Sequence, residues 1–214
     1  MRKQAPHFCG FQAIYTFMVD NKMISNVLVV LDTSVNVEKS PKAAMSIVWR
    51  IGHAICARLN IQFALGFPEY DMSQKRLGRV LHFWFETEED AERFYEAATN
   101  DMPNLARIDK PVAPTHKVDK KYAYVMRRFA GKPSKTNSDD EYGKRIAYMH
   151  AIRNRQRNEL DMLPSIGMKT SNGNMMTLFI ERIEVDEGEG KPNGYGLSRT
   201  GGNTGETNII AIPC

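Results

Sequence analysis

Residues 61–86 read IQFALGFPEYDMSQKRLGRVLHFWFE. Two apolar, aromatic-rich runs, IQFALGF (61–67) and GRVLHFWFE (78–86), flank a polar loop containing Pro68, which predicts two successive strands. Upstream, the β-branched and apolar run SNVLVVLD (25–32) reads as a buried strand. Between these strands, Ser40-Pro41 supplies an N-cap followed by proline at the first helical position. Met45, Val48, Trp49, Ile55, Cys56 and Leu59 then recur at helical spacing, predicting an amphipathic helix over 41–59. Downstream, Thr87 with Asp90 three residues later marks a second helix start, and Ala91, Phe94, Tyr95 and Ala98 supply its apolar face. Leu105 to Val112 reads as a fourth strand, closed off by Pro111 and Pro114. The order β-α-β-β-α-β is the ferredoxin-like split βαβ arrangement, expected over residues 25–113. Many unrelated functions use it, RNA binding among them.

Residues 114–214 form a less regular second half, so the fold class is α+β. KYAYVMRR (121–128) reads as a strand running into a basic linker. Residues 139–159 open on Asp139, Asp140 and Glu141, favourable at a helix N-terminus, and then carry five basic residues. Ile146, Met149 and Ile152 offer that helix an anchoring side. Strand-like stretches follow at 163–169, 175–185 and 207–212, with the glycine-rich loop GEGKPNGYGLSRTGGNTG (188–205) before the last.

The chain has 214 residues, 42% hydrophobic and 25% charged. It is too apolar to be disordered, and it contains no run of about 18 apolar residues suited to spanning a bilayer. Cys9, Cys56 and Cys214 are odd in number and scattered, which argues against a zinc site and a disulfide framework and favours a reducing cytoplasm. Residues 1–24 do not resemble an export signal, because His7, Gln12 and Thr16 interrupt any apolar core. They are an additional packed segment, or translation starts at Met18 or Met23.

The formal net charge of +4 hides an uneven distribution. Between Pro114 and Asn158 twelve Lys/Arg face four acids, a balance of +8, so the remainder carries −4. A basic stretch on a mildly acidic body is the footprint of a phosphate-backbone binder, although a solvated helix and linker have the same composition.

Two residues stand out for chemistry. His53 falls at the shoulder of the apolar face of helix 41–59, where an imidazole is held yet still reaches solvent. That placement suits general acid–base work at neutral pH, and it equally suits a histidine that only packs. Tyr195 sits between Gly194 and Gly196, whose freedom at positive φ lets the loop present the ring at a fixed angle or simply turn. Thr170 and Ser171 are paired hydroxyls at a strand end, by themselves a turn signal.

Three stretches together resemble a known family: MSIVWRIGHAI (45–55), IQFALGFPEYDMSQKRLGRVLHFW (61–84), and LPSIGMKTSNGNMMTLFIE (163–181) with GYGLSR (194–199). They resemble the CRISPR-associated endoribonucleases of subtype I-F, the f branch of the "Cas six" family, which cut CRISPR precursor RNA at a repeat stem-loop. The YGLS element is the most specific. The resemblance implies that His53 is the catalytic histidine, that Tyr195 orients it, and that Thr170 or Ser171 is the active-site hydroxyl. It implies RNA contacts from Arg127, Arg128, Lys132, Lys144, Arg145, Arg153, Arg155, Arg157, Lys169 and Met176. Met176, or Met175 in a shifted register, stands where the family places an aromatic on the terminal base pair, and Ala130 replaces a glutamine that meets a base. No metal or other cofactor is implied. The expected partners are a CRISPR RNA repeat stem-loop and the other subunits of a type I-F surveillance complex, with no membrane. A binding module of ferredoxin-like fold that holds a stem-loop without cutting it is the alternative.

Overall fold

The computed structural model describes residues 25–31, 41–102, 104–112, 120–127, 139–169, 172–186, 188, 190–199 and 209–213. The first strand, β1 (Ser25–Leu31), leads to α1 (Pro41–Leu59), β2 (Ala64–Gly66), β3 (Val80–Phe85), α2 (Glu88–Asp101) and β4 (Ala106–Ile108). These four strands form an antiparallel sheet in the order β2-β3-β1-β4. The β-α-β-β-α-β order expected from the sequence is thus present, with shorter strands at 64–66 and 106–108. The extension of β4 toward Pro111 continues as a hydrogen bond from the Asp109 N–H to the Leu28 carbonyl at 2.9 Å and an isolated pairing of Asn26 with Val112.

Burial explains why these segments adopt these structures. Val27, Val29 and Leu31 point to one side of β1, as period-two alternation requires. Ala44, Met45, Val48, Trp49, Gly52, Ile55 and Cys56 are the buried face of α1. Gly52 lets this helix lie close on the sheet, since a Cβ there would stand 2.5 Å from Phe83 Cζ. Thr87 caps α2, its Oγ1 accepting from the Asp90 backbone N–H at 3.0 Å. Glu88, Glu89 and Asp90 then complement the positive end of the helix dipole. Phe94 from α2 packs on Phe83 and Phe85 of β3, with ring centroids 4.6 and 5.1 Å apart.

A second antiparallel sheet, ordered β6-β7-β5-β8, comprises β5 (Lys121–Arg127), β6 (Ser165–Lys169), β7 (Met175–Val185) and β8 (Ile212–Pro213). Between β5 and β6 lies α3 (Asp139–Leu160). The basic helix is therefore real, and Ile146, Met149 and Ile152 along it are half-buried while Tyr148 is exposed. Leu160 is buried at its end.

One apolar cluster runs through both sheets, from Val27, Trp49, Leu65 and Phe83 to Tyr124, Met126, Ile166, Leu178 and Ile212. Polar ties reinforce it. Tyr124 donates its hydroxyl to the Phe67 carbonyl at 3.0 Å, and Tyr70 donates to the Ile180 carbonyl at 3.1 Å. The Arg182 guanidinium lies over the Tyr70 and Tyr122 rings, 4.9 and 4.8 Å from their centroids. Strand β6 lies along α1: Lys42 donates to Ser165 Oγ at 2.9 Å, and Ser46 Oγ donates to the Gly167 carbonyl. Cys56 is a buried free thiol, and burial pushes its pKa up. No helix among the described residues is long and apolar enough to cross a membrane.

Candidate functional site

The glycine-rich loop is a seam between the two sheets. Leu65 of β2 donates its N–H to the Gly196 carbonyl at 2.7 Å. On the other side Ser198 donates to the Tyr124 carbonyl and accepts, through its own carbonyl, from Met126, at 2.9 and 3.1 Å. Its hydroxyl accepts from the Ile210 N–H at 2.9 Å, and both Leu197 and Ser198 are buried. Gly196 has φ of +77°, and a Cβ there would fall 2.4 Å from Phe63 Cε2. Glycine is required for both reasons.

This seam presents Tyr195 to α1. The Tyr195 ring stacks on His53 with centroids 5.6 Å apart and planes inclined by 26°. Two residues 142 positions apart in the chain thereby share one site. The backbone at Gly194 also comes close, since a Cβ there would lie 3.8 Å from His53 Nε2.

Two supporting residues were not singled out by the sequence. Asn193 Oδ1 accepts from the Tyr195 and Leu197 N–H groups at 2.8 and 3.3 Å, and its carbonyl accepts from Gly196 at 2.8 Å. This side-chain-closed turn fixes the loop below the tyrosine. The Asn-Gly dipeptide at 193–194 is the turn signal that marks it. Trp49, fully buried, donates its indole N–H to the Tyr195 carbonyl at 3.2 Å. It precedes His53 by four residues, one turn along the same helix face.

His53 is half-buried, and desolvation lowers its pKa below the ordinary histidine value of 6.5. Burial disfavours the imidazolium, so the ring is neutral at pH 7 and able to accept a proton. A neutral imidazole at the mouth of a half-buried site can act as a base toward a hydroxyl brought against it.

The remaining candidate residues are distributed as follows. Thr170, Ser171, Arg128, Lys132 and Ala130 lie outside the described residues, as do Cys9, Cys214 and residues 1–24. Lys169 is exposed at the end of β6, which runs along α1 in the same direction as the helix. The strand therefore ends nearer the His53 end of α1 than it begins. Met176 is half-buried on β7 opposite Met168, whereas Met175 is 71% exposed. Lys144, Arg145 and Arg157 are exposed on α3, and Arg153 and Arg155 belong to the same helix. Arg127 ends β5 with its guanidinium paired to Glu181 at 2.6 Å.

Among the described residues no three His, Cys, Asp or Glu side chains gather as a metal site. No protein-family model matches the chain, and none of the curated proteins matches it. Among solved structures, a chain of the CRISPR endoribonuclease Cse3 bound to a 19-nucleotide RNA aligns with 89% of this chain and 99% of its own. The two share 13% identity, with a TM-score of 0.34.

Proposed function

We propose that this protein is a metal-independent endoribonuclease of the CRISPR stem-loop type that the sequence motifs resemble. The stacking of His53 on Tyr195, which unites the histidine-bearing helix with the YGLS element, is the observation that carries the reading. The substrate supplies its own nucleophile. In RNA the 2′-hydroxyl lies beside the scissile phosphate, so the protein need only take its proton and hold the attack in line.

His53 Nε2, neutral because of burial, accepts the 2′-hydroxyl proton as the 2′-oxygen bonds to phosphorus. The bond to the 5′-oxygen breaks, and that oxygen takes up a proton as it leaves. The products are a 2′,3′-cyclic phosphate and a 5′-hydroxyl, as the resemblance implies. Tyr195 holds the imidazole plane, while Thr170 or Ser171, just beyond the end of β6, hydrogen-bonds the reacting ribose. Lys169, Arg128, Lys132 and the cations of α3 hold the phosphates of the stem. Arg127, paired to Glu181, steadies the start of that linker. Met176 packs against the end of the stem. The protein stays on the 3′ stem-loop of its product as a subunit of a type I-F surveillance complex in the cytoplasm. On this reading residues 25–113 carry the catalytic helix, and residues 114–214 carry the RNA-binding surface.

Incubation of the purified protein with a hairpin repeat RNA in the presence of chelator tests the reading. A single cut at the base of the stem is expected, lost when the nucleotide before the cut is 2′-deoxy. Binding without a cut would instead assign the protein as a stem-loop binding module.

A further inference from the structure

At the opposite end of α1 from His53, a cleft of about 580 Å³ opens between the first turns of the helix, the β2–β3 loop and β6. Its apolar surface comes from exposed Pro41 and the aliphatic stems of the rim, with Met45, Leu77 and Ile166 buried beneath. Its rim is basic: Lys42, Lys75, Arg76 and Arg79 are all exposed there. Glu69, the one acid of the lining, accepts the Arg79 backbone N–H at 2.7 Å and so braces the loop at Gly78. Arg76 is held only loosely, 3.7 Å from Asp71. Four cations against one carboxylate give the lining a balance of +3. None of these four belongs to the basic stretch at 114–158.

A basic rim beside apolar surface matches single-stranded RNA, whose phosphates need cations and whose unpaired bases offer flat, weakly solvated faces. A base-paired stem hides those faces. The cleft also shares α1 with the candidate active site: Lys42 and His53 are eleven residues apart on one helix, about 16 Å. We propose that this cleft binds a single-stranded RNA segment flanking the stem-loop, with rim cations on its phosphates and a base against Pro41 and the aliphatic stems of the rim. Only the identity of the flanked RNA rests on the endoribonuclease reading; the chemistry of the cleft does not.

Fluorescence anisotropy on the full chain tests this with three labelled probes: a bare hairpin, the hairpin with an unstructured flank, and unpaired RNA alone. The double substitution Lys75→Gln/Arg79→Gln is expected to leave bare-hairpin binding unchanged. It is expected to weaken the flanked hairpin and the unpaired RNA about tenfold, and to lower the salt dependence of unpaired-RNA binding by about 1.4, two contacts at about 0.7 each. The charge-keeping pair Lys75→Arg/Arg79→Lys should restore binding. Equal affinity of wild type and the glutamine variant for unpaired RNA overturns the proposal. So does displacement of that RNA by polyglutamate as readily as by unlabelled RNA. If the hairpin is neither bound nor cut while the variant still loses unpaired RNA, the endoribonuclease reading fails and the cleft assignment stands. If the hairpin is cut while unpaired RNA binding is indifferent to the variant, the cleft assignment fails and the endoribonuclease reading stands.

Discussion

Gly196 shows how one residue holds the site together. Its positive φ and the 2.4 Å approach to Phe63 leave no room for a side chain. Alanine there combines backbone strain with overpacking, and a loss of about 3 kcal/mol in urea unfolding is expected. His82 makes a second residue-scale case, with consequences for pH. Burial lowers its pKa to about 4, and its Nε2 is buried without a hydrogen-bond partner. The unfolded chain binds a proton near pH 6.5, so between that value and about 4 it holds more protons than the folded chain. Stability is then complete above pH 6.5 and falls as the medium is acidified through this window. At pH 4.5 His82 should account for about 2–3 kcal/mol of lost stability, and most of that loss should vanish in His82→Leu when urea midpoints at pH 7 and 4.5 are compared. Half-buried His53, also with a lowered pKa, adds to the loss in the same direction, and its part remains in the variant.

At the scale of elements, α1 and α2 were legible because apolar spacing, proline, and a threonine cap all agreed. Both begin where those signals place them, at Pro41 and after Thr87. Strand lengths were less legible. Ile61, Gln62 and Phe63 precede β2 as irregular chain, although Ile61 and Phe63 are buried; apolar content reports burial, not ladder pairing. The seam at 193–198 was visible only as glycine punctuation. Its role depends on β2 and β5 arriving on either side of it, which no local pattern encodes. Likewise His53 was marked by its place on a helix, but its partner came from the far end of the chain. Helix α3 contributes charge more than packing, as its exposed Lys144, Arg145 and Arg157 indicate. Replacing Lys144 and Arg145 by glutamine should reduce the slope of log affinity against log salt by about 1.8 for a duplex stem, with little change in thermal stability. A titration of hairpin binding across salt concentrations measures it.

For the molecule as a whole, charge and core lead to different divisions. The charge map separates a basic middle from an acidic remainder, whereas the apolar cluster joins both sheets. Leu65, Tyr124 and the loop between them tie the halves by backbone as well as by side chains. Heat should therefore unfold the chain in one transition, with calorimetric and van't Hoff enthalpies in agreement; two resolved transitions would show that the sheets fold independently. The same union brings His53 of the first half to Tyr195 of the second, so the candidate site depends on the shared core. The sharpest experiment compares wild type and His53→Ala on a hairpin repeat RNA in chelator, following cleavage and binding together. A cut at the stem base is expected in the wild type, slowed by about 10²–10⁴-fold in the variant while hairpin affinity is preserved. Undiminished cleavage by His53→Ala, or cleavage that requires added Mg²⁺, would refute the role given to this histidine.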